Sequence, residues 1–432
     1  MDPAIITLCV LGVAAFLFIT ELIPLAVTAM AACTALGILG VLPSKAVYAG
    51  MSNSTVVLFG GMFVIGAAMF KTGLAEAIGV AVVKKAGTNE IPLMAAIMVV
   101  TIVLSAVSSN TGTVACLMPV IIGICQAAKI PASKQLMPLA IAANVGGTIT
   151  MIGTPPNVIV TGALSAAGLP TFGFFEFAFI GVPLSIIIVL YTLFIGRRFL
   201  PDHSAGAMDE EAVKAAKEEA GASDDNAPKS KTKMWIAGLI LIGVVLCMAL
   251  DLKTVPLHTA AVTGAILCVV TGCLKEKEAY AGIDWVTIFL FAGMLSVASA
   301  MEKTGAGKLI ADTVVSMMGT NPNPYVLTAV LFLISNVLTQ FMSNTASAAL
   351  LAPIGISIAQ NIGCDPKPVL MALGIAASCA FATPMATPPN TLVLGPGNFS
   401  FNDYAKVGVP MCVISLIVCL VVIPIVWPFF PN

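Results

Sequence analysis

Two short polar motifs, each written twice in an otherwise apolar chain, carry the residue types able to do chemistry. The first is Ser108-Ser109-Asn110-Thr111-Gly112-Thr113, matched by Met342-Ser343-Asn344-Thr345-Ala346-Ser347. The second is Gly153-Thr154-Pro155-Pro156-Asn157, matched by Ala386-Thr387-Pro388-Pro389-Asn390. None of the four contains Lys, Arg, Asp, Glu or His. Their chemistry is that of neutral oxygens and amide N–H groups. Ser, Thr, Asn and freed backbone carbonyls suit a hard cation. The same side chains cap a helix, and the unpaired N–H groups of its first turn seat an anion. A proton relay would need an intramembrane acid or His, whereas Glu21, Glu176, Asp251, Asp284 and Asp312 fall at segment ends. An enzyme would need a nucleophile with a base in reach; the two His residues, His203 and His258, stand in a charged stretch and near the start of a span.

The elements that position these motifs are membrane spans. The chain has 432 residues, 59% of them hydrophobic and 9% charged, with mean hydropathy +1.03, against roughly 25% charged in soluble domains. That excludes a soluble enzyme. Eleven Cys lie scattered without a C-x-x-C pair, so neither a disulfide framework nor a zinc site is indicated. A net charge of −1 gives no basic excess for nucleic acid. A span needs ~20 apolar residues, and ten stretches qualify: 3–20, 24–42, 55–70, 136–168, 178–196, 234–250, 255–273, 285–300, 368–394 and 407–428. The first has Asp2 in place of a basic leader and reads as a retained span, not a signal peptide.

Residues 201–233 carry thirteen charged residues and read as a linker, either disordered or a short solvated helix. The halves on either side, 1–200 and 234–432, match in order. Ile23-Pro24-Leu25 pairs with Val255-Pro256-Leu257, Gly61-Met62 with Gly293-Met294, and Lys71-Thr72-Gly73 with Lys303-Thr304-Gly305, all at an offset of 232. The Ser-Asn-Thr and Thr-Pro-Pro-Asn motifs follow, then Gly181-Val182-Pro183 with Gly408-Val409-Pro410. Each half contributes five crossing segments, an odd number, so the second half enters from the opposite side and the repeats are inverted. That is the build of secondary transporters. With the linker in the cytoplasm, fifteen of the twenty Lys and Arg lie inside, which predicts an inner-membrane protein with both termini outside. The charges at Lys71, Glu76, Lys84 and Lys85, and at Lys303, Lys308 and Asp312, mark interfacial amphipathic helices.

Within 91–128 and 325–364, two apolar arms of about 16 residues flank each Ser-Asn-Thr tip, each arm short for a crossing. A re-entrant hairpin fits, covered by protein or lining a wet cavity; a plain polar turn between short spans is the alternative. The double prolines predict that helices 136–168 and 368–394 open at those residues, freeing carbonyl oxygens. Each hairpin tip beside the broken helix of its own repeat makes one half-site. An anion held by neutral donors gains only about 0.3–2 kcal/mol per helix N-terminus, so a dianion calls for bound cations.

The run Glu21-Leu22-Ile23-Pro24-Leu25-Ala26-Val27-Thr28, the twin tips and the twin breaks resemble the divalent anion:sodium symporter (DASS) family, of dicarboxylate-transporter type, over nearly the whole chain. The resemblance implies an all-α homodimer in the bilayer, a fixed scaffold and a transport domain moving as an elevator. It implies one Na+ at Ser105, Ser109, Asn110 and Gly153, and a second at Thr339, Met342 (by its carbonyl), Asn344 and Ala386. The small dianionic substrate would meet Ser109, Asn110, Thr111, Ser343, Asn344 and Thr345, with Thr154, Thr387 and Pro388 closing the pocket. Gly112 and Ser347 depart from the Ala and Thr common after the tips, and the expectation is a chain without the extra N-terminal span frequent in the family. The leading expectation is sodium-coupled symport of succinate, fumarate or malate. A sulfate or tricarboxylate carrier, or a sodium-independent dicarboxylate exchanger, is the alternative on the same scaffold. An ion antiporter would need the intramembrane acid that the chain lacks.

Overall fold

In the computed structural model, residues 2–87, 89–203, 211, 213–214, 230–250, 254–318 and 323–431 are described. Asp251, Lys253 and most of the 201–233 linker lie outside them. The described residues fold into helices, in the same order in both halves. The first half runs α1 (Pro3–Thr20), α2 (Leu25–Ile38), α3 (Ser44–Val47), α4 (Ser54–Lys71), α5 (Leu74–Ala86), α6 (Glu90–Ser105), α7 (Asn110–Ala128), α8 (Ser133–Gly146), α9 (Pro155–Ala166) and α10 (Ala178–Phe194). The second runs α11 (Lys231–Ala249), α12 (Leu257–Val270), α13 (Glu276–Ala281), α14 (Trp285–Thr304), α15 (Ala306–Met318), α16 (Pro324–Thr339), α17 (Asn344–Ile362), α18 (Pro366–Ser378), α19 (Pro388–Leu394) and α20 (Phe401–Val426). Helix starts follow local chemistry. Asp2, Asn53, Ser109, Asp284, Asn323 and Asp365 each accept a first-turn N–H, and Pro3, Pro324 and Pro366 sit in the first turn, where a missing N–H costs nothing.

Among the described residues, seven helices are long and apolar enough to cross a membrane: α1, α4, α7, α11, α14, α17 and α20. Only 28% of α1 and of α11 is covered by protein, against 72% of α4 and 67% of α14. The exposed faces of α1 and α11 present Phe16, Ile19, Leu239 and Leu246, a surface compatible with lipid and not with water. The outgoing hairpin arms, α7 and α17, have 19 residues each, longer than the sequence pattern predicts. At ~1.5 Å per residue they approach the full hydrocarbon thickness. Only the 16-residue incoming arms, α6 and α16, are short. The charges predicted to mark amphipathic helices fall on α4–α5 and α14–α15.

Packing between halves is reciprocal. α4 packs on α12 while α14 packs on α2, and α17 packs on α9 while α7 packs on α19. The matched glycines explain the first pair: a Cβ on Gly61 would lie 2.8 Å from the Ala261 carbonyl carbon, and one on Gly293 would lie 2.8 Å from that of Ala29. Backbones this close tolerate no side chain, so the repeated Gly-Met marks a helix crossing.

A polar clasp ties the halves together, from the first turn of α18 to the segment before α10. Lys367 Nζ lies 2.8 Å from Glu176 Oε1 and over the Phe172 ring at 5.2 Å, with the two charged side chains 18% and 19% exposed. The indole N–H of Trp427 donates to the same carboxylate, and the Gly173 N–H donates at 2.7 Å. Burial works against ionisation of Glu176, yet Lys367, Gly173 and Trp427 hold its carboxyl below the usual range. A group whose folded pKa is lowered stabilises the fold above its ordinary pKa and loses that contribution as pH falls through the lowered value. Lys367→Met is therefore expected to cost about 1–3 kcal/mol at neutral pH. Thermal unfolding in detergent should show that loss shrinking as pH falls below the ordinary carboxylate range.

Candidate functional site

The tips and breaks assemble two polar clusters of the same design. At the end of α6, the Ser105 hydroxyl lies within hydrogen-bond distance of Asn110 Oδ1 and 2.7 Å from the Ala143 carbonyl oxygen. At the end of α16, the Thr339 hydroxyl lies against Asn344 Oδ1 and 2.8 Å from the Ala377 carbonyl oxygen. A hydroxyl owns one proton and can donate to only one acceptor at a time. Each cluster therefore gathers three oxygens at one hydroxyl, both hydroxyls fully buried, and in the first cluster Ala143 O also accepts the Gly147 N–H at the end of α8. Uncharged oxygens with lone pairs left over beside these hydrogen bonds are what a monovalent hard cation would use. No group of three or more His, Cys, Asp or Glu able to hold a metal occurs among the described residues.

The breaks are held open by a second repeated device. The prolines do not open the helices from within, as the sequence pattern predicts. α8 ends at Gly146 and α18 at Ser378, upstream of the prolines, and Pro155-Pro156 and Pro388-Pro389 begin α9 and α19 behind the cap residues Thr154 and Thr387. There the absent N–H and fixed φ suit a helix start. The side-chain amide of Asn157 donates to the carbonyls of Gly147 and Thr150 at 3.2 and 2.8 Å. Asn390 does the same to Ala380 and Thr383 at 3.0 and 2.9 Å. Tip and break interlock through Thr150, whose hydroxyl donates to Ala106 O, and through Thr383, which donates to Gln340 O at 2.6 Å.

The Gly-Val-Pro repeat belongs to the same construction. A Cβ on Gly181 would fall 2.5 Å from Thr148 O, and one on Gly408 would fall 2.2 Å from Phe381 O. α10 and α20 thus lie directly on the two breaks. Gly408→Ala is expected to cost about 1–3 kcal/mol by overpacking, read as a lower unfolding temperature. Gly12→Ala, with open space around it, should show no such loss.

Of the predicted residues, the structure joins Ser105 to Asn110 and Thr339 to Asn344. Asn110 also packs on the first break, its amide 2.9 Å from where a Cβ on Gly147 would stand, and a Cβ on Gly153 would strike Gly147 O at 2.4 Å. Ser109 caps α7 by accepting from Gly112 N at 3.2 Å, whereas Ser343 holds the same position without a side-chain bond. Thr111 is half-buried, Thr345, Met342 and Ala386 are buried, and Pro388 is exposed. Buried Thr154 has no hydrogen bond from its side chain at the cap, but Thr387 accepts from Asn144 at 3.1 Å. Asn144, Asn157, Asn390, Thr150 and Thr383 escape the sequence reading as site residues. The signal present is an amide or hydroxyl in an apolar run, at matched positions for all but Asn144. An apolar groove of about 540 Å³ between α2 and Phe289 of α14 contains none of these residues.

The comparisons with known proteins bear on this arrangement. The family described as Citrate transporter matches residues 15–367 and 348–429. The chain belongs to that family. This citrate transporter family member is a secondary transporter in the membrane and not an enzyme, in keeping with the predicted divalent anion:sodium symporter type. It is 26% identical over 603 residues to the uncharacterized transporter YfbS of Escherichia coli, covering 98% of this chain and 99% of YfbS. It is 26% identical over 437 residues to the sodium-dependent dicarboxylate transporter SdcS of Staphylococcus saprophyticus, covering 94% of this chain and 83% of SdcS. In fold, it is similar to MtrF of Neisseria gonorrhoeae, with TM-score 0.61 at 15% identity over 90% of this chain and 84% of MtrF. YdaH of Alcanivorax borkumensis matches at TM-score 0.58 and 15% identity, over 90% of this chain and 89% of YdaH.

Proposed function

We propose that this family member is a sodium-coupled symporter of small dicarboxylates such as succinate, fumarate or malate. The observation that carries the reading is the duplicated oxygen cluster, Ser105–Asn110–Ala143 and Thr339–Asn344–Ala377, three neutral oxygens gathered at a buried hydroxyl in each half. In this reading one sodium is held around Ser105, Ser109, Asn110 and Gly153, and the other around Thr339, Asn344, Ala386 and the Met342 carbonyl. The dianion sits between the tips, at Ser109, Asn110, Thr111, Ser343, Asn344 and Thr345, with Thr154, Thr387 and Pro388 at its edge. Similarity to SdcS supports sodium and dicarboxylate as the pair.

The reciprocal packing of α4 on α12 and α14 on α2 supports two repeats, 1–200 and 234–432; the odd number of spans in each and the Lys and Arg bias support their inversion, a cytoplasmic linker at 201–233 and termini outside. Such repeats suit an elevator, with a homodimeric scaffold holding the moving unit. Charge explains the coupling: a dianion entering a negative interior opposes about 2.3 kcal/mol per charge per 100 mV, which two sodium ions cancel.

Radiolabelled succinate uptake into proteoliposomes tests the reading. An inward sodium gradient should drive accumulation, and uptake unchanged when choline replaces sodium would overturn it. The family's description gives a second reading, a tricarboxylate substrate; citrate that outcompetes succinate would favour it.

A further inference from the structure

We infer that Asn144 is a positioning residue that couples the two half-sites, an inference that rests on the sodium-symport reading above. Asn144 is 2% exposed near the end of α8. Its amide N–H2 donates across to the second half, to Thr387 Oγ1 at 3.1 Å and Asn390 Oδ1 at 3.0 Å. Both amide hydrogens are thereby used. On one side it is bonded through the chain to Ala143, whose carbonyl belongs to the first oxygen cluster. On the other it holds Thr387, the residue after Ala386, and Asn390, whose amide keeps the second break open. One residue therefore connects the first cluster to the frame of the second.

The link is made once, although the architecture is duplicated. Ile141-Ala142-Ala143-Asn144 corresponds to Ile375-Ala376-Ala377-Ser378. The Ser378 hydroxyl turns back to donate to Gly374 O in its own helix, at 2.9 Å. In consequence the side-chain oxygen Oδ1 of Asn157, the counterpart of the Asn390 Oδ1 that Asn144 satisfies, is fully buried without a partner. It faces α18, 3.7 Å from where a Cβ on Gly374 would stand. The second break is pinned to the first half; the first break has no reciprocal pin. Ordering of the first cluster around a cation fixes Ala143 and hence Asn144, and the second frame with it. By linkage, occupation of the second cluster favours the first to the same degree.

Sodium titrations of succinate uptake, with choline holding ionic strength constant, separate coupling from mere support of the fold. Loss of support would lower the maximal rate without changing the shape of the curve. Asn144→Ala is expected to lower the Hill coefficient for sodium from roughly 1.5 or more to about 1, and to raise half-saturating sodium roughly 5-fold or more. The exchange Asn144→Ser with Ser378→Asn moves the cross-link to the other side, toward Asn157, and should restore cooperativity that Asn144→Ser alone loses. A wild-type sodium curve in Asn144→Ala overturns the inference. Should Asn144→Ala fail to fold, a double exchange that folds but leaves the Hill coefficient at about 1 overturns it instead. Wild-type uptake indifferent to sodium removes the symport reading and this inference together, and is seen before any variant is made.

Discussion

Alanine in place of Asn110, or in place of Asn344, is expected to abolish sodium-driven succinate uptake while leaving a folded protein. Each amide oxygen is one of the three oxygens gathered at the buried hydroxyl of its cluster. Bonds involving a charged group contribute about 1.5–3 kcal/mol each, so removing one ligand oxygen weakens cation binding by roughly 10- to 150-fold. Loss of the first-turn polar side chain also leaves the anion seat incomplete. Folding should survive, because both residues are only half-buried and open their helices without closing a break. Uptake assays with size-exclusion profiles of the two variants check this. Near-normal uptake in both would remove the tips from the site.

Asn390→Ala is expected to have the largest effect on stability. The side chain is 1% exposed and makes three bonds: two donations to the carbonyls of Ala380 and Thr383, and one acceptance from Asn144. Truncation strands two buried carbonyls and one buried N–H. Each stranded group costs about 1–3 kcal/mol, so a loss of about 3 kcal/mol or more follows. Asn157→Ala removes only the two donations, since its own oxygen is already without a partner. Its loss should be smaller. Thermal unfolding of the pair in one detergent measures the difference, and equal losses would show that the bond from Asn144 contributes nothing to the fold.

Much of this arrangement is legible in the sequence because duplication exposes it. A lone Gly61 or Gly408 means little, whereas each has a twin, and the structure supplies the reason: helix backbones approach too closely there for a Cβ. The Ser-Asn-Thr tips are legible because uncharged polar residues inside a long apolar stretch have few other uses. Two readings miss in detail. Proline is expected to interrupt a helix, but at Pro155 and Pro388 it starts one, so the openings lie several residues earlier, at the Gly146-Gly147 pair in the first half and at Ser378-Cys379, which carries no breaker signal, in the second. The arms α7 and α17 extend further than their apolar runs suggest, because Ser109 and Ser343 already occupy the cap positions.

The polar supports are the least visible part. Asn157 and Asn390 stand in the repeated motif, yet nothing in the sequence says that their amides reach back seven and ten residues to hold a break open. Asn144 is harder still. Its partners are 243 and 246 residues away, and its repeat counterpart is a serine that serves only its own helix. A feature present in one half alone carries no signature of duplication, and only the folded arrangement reveals it.

Sodium coupling is tested most directly by measuring both solutes in one vesicle preparation. Radioactive sodium and radioactive succinate are counted in proteoliposomes given an inward succinate gradient and no sodium gradient. Symport predicts that succinate entry drives sodium inward in a fixed ratio of about two or more, as charge balance for a dianion requires, and that Asn110→Ala stops both fluxes together. Succinate entering with no accompanying sodium would contradict it.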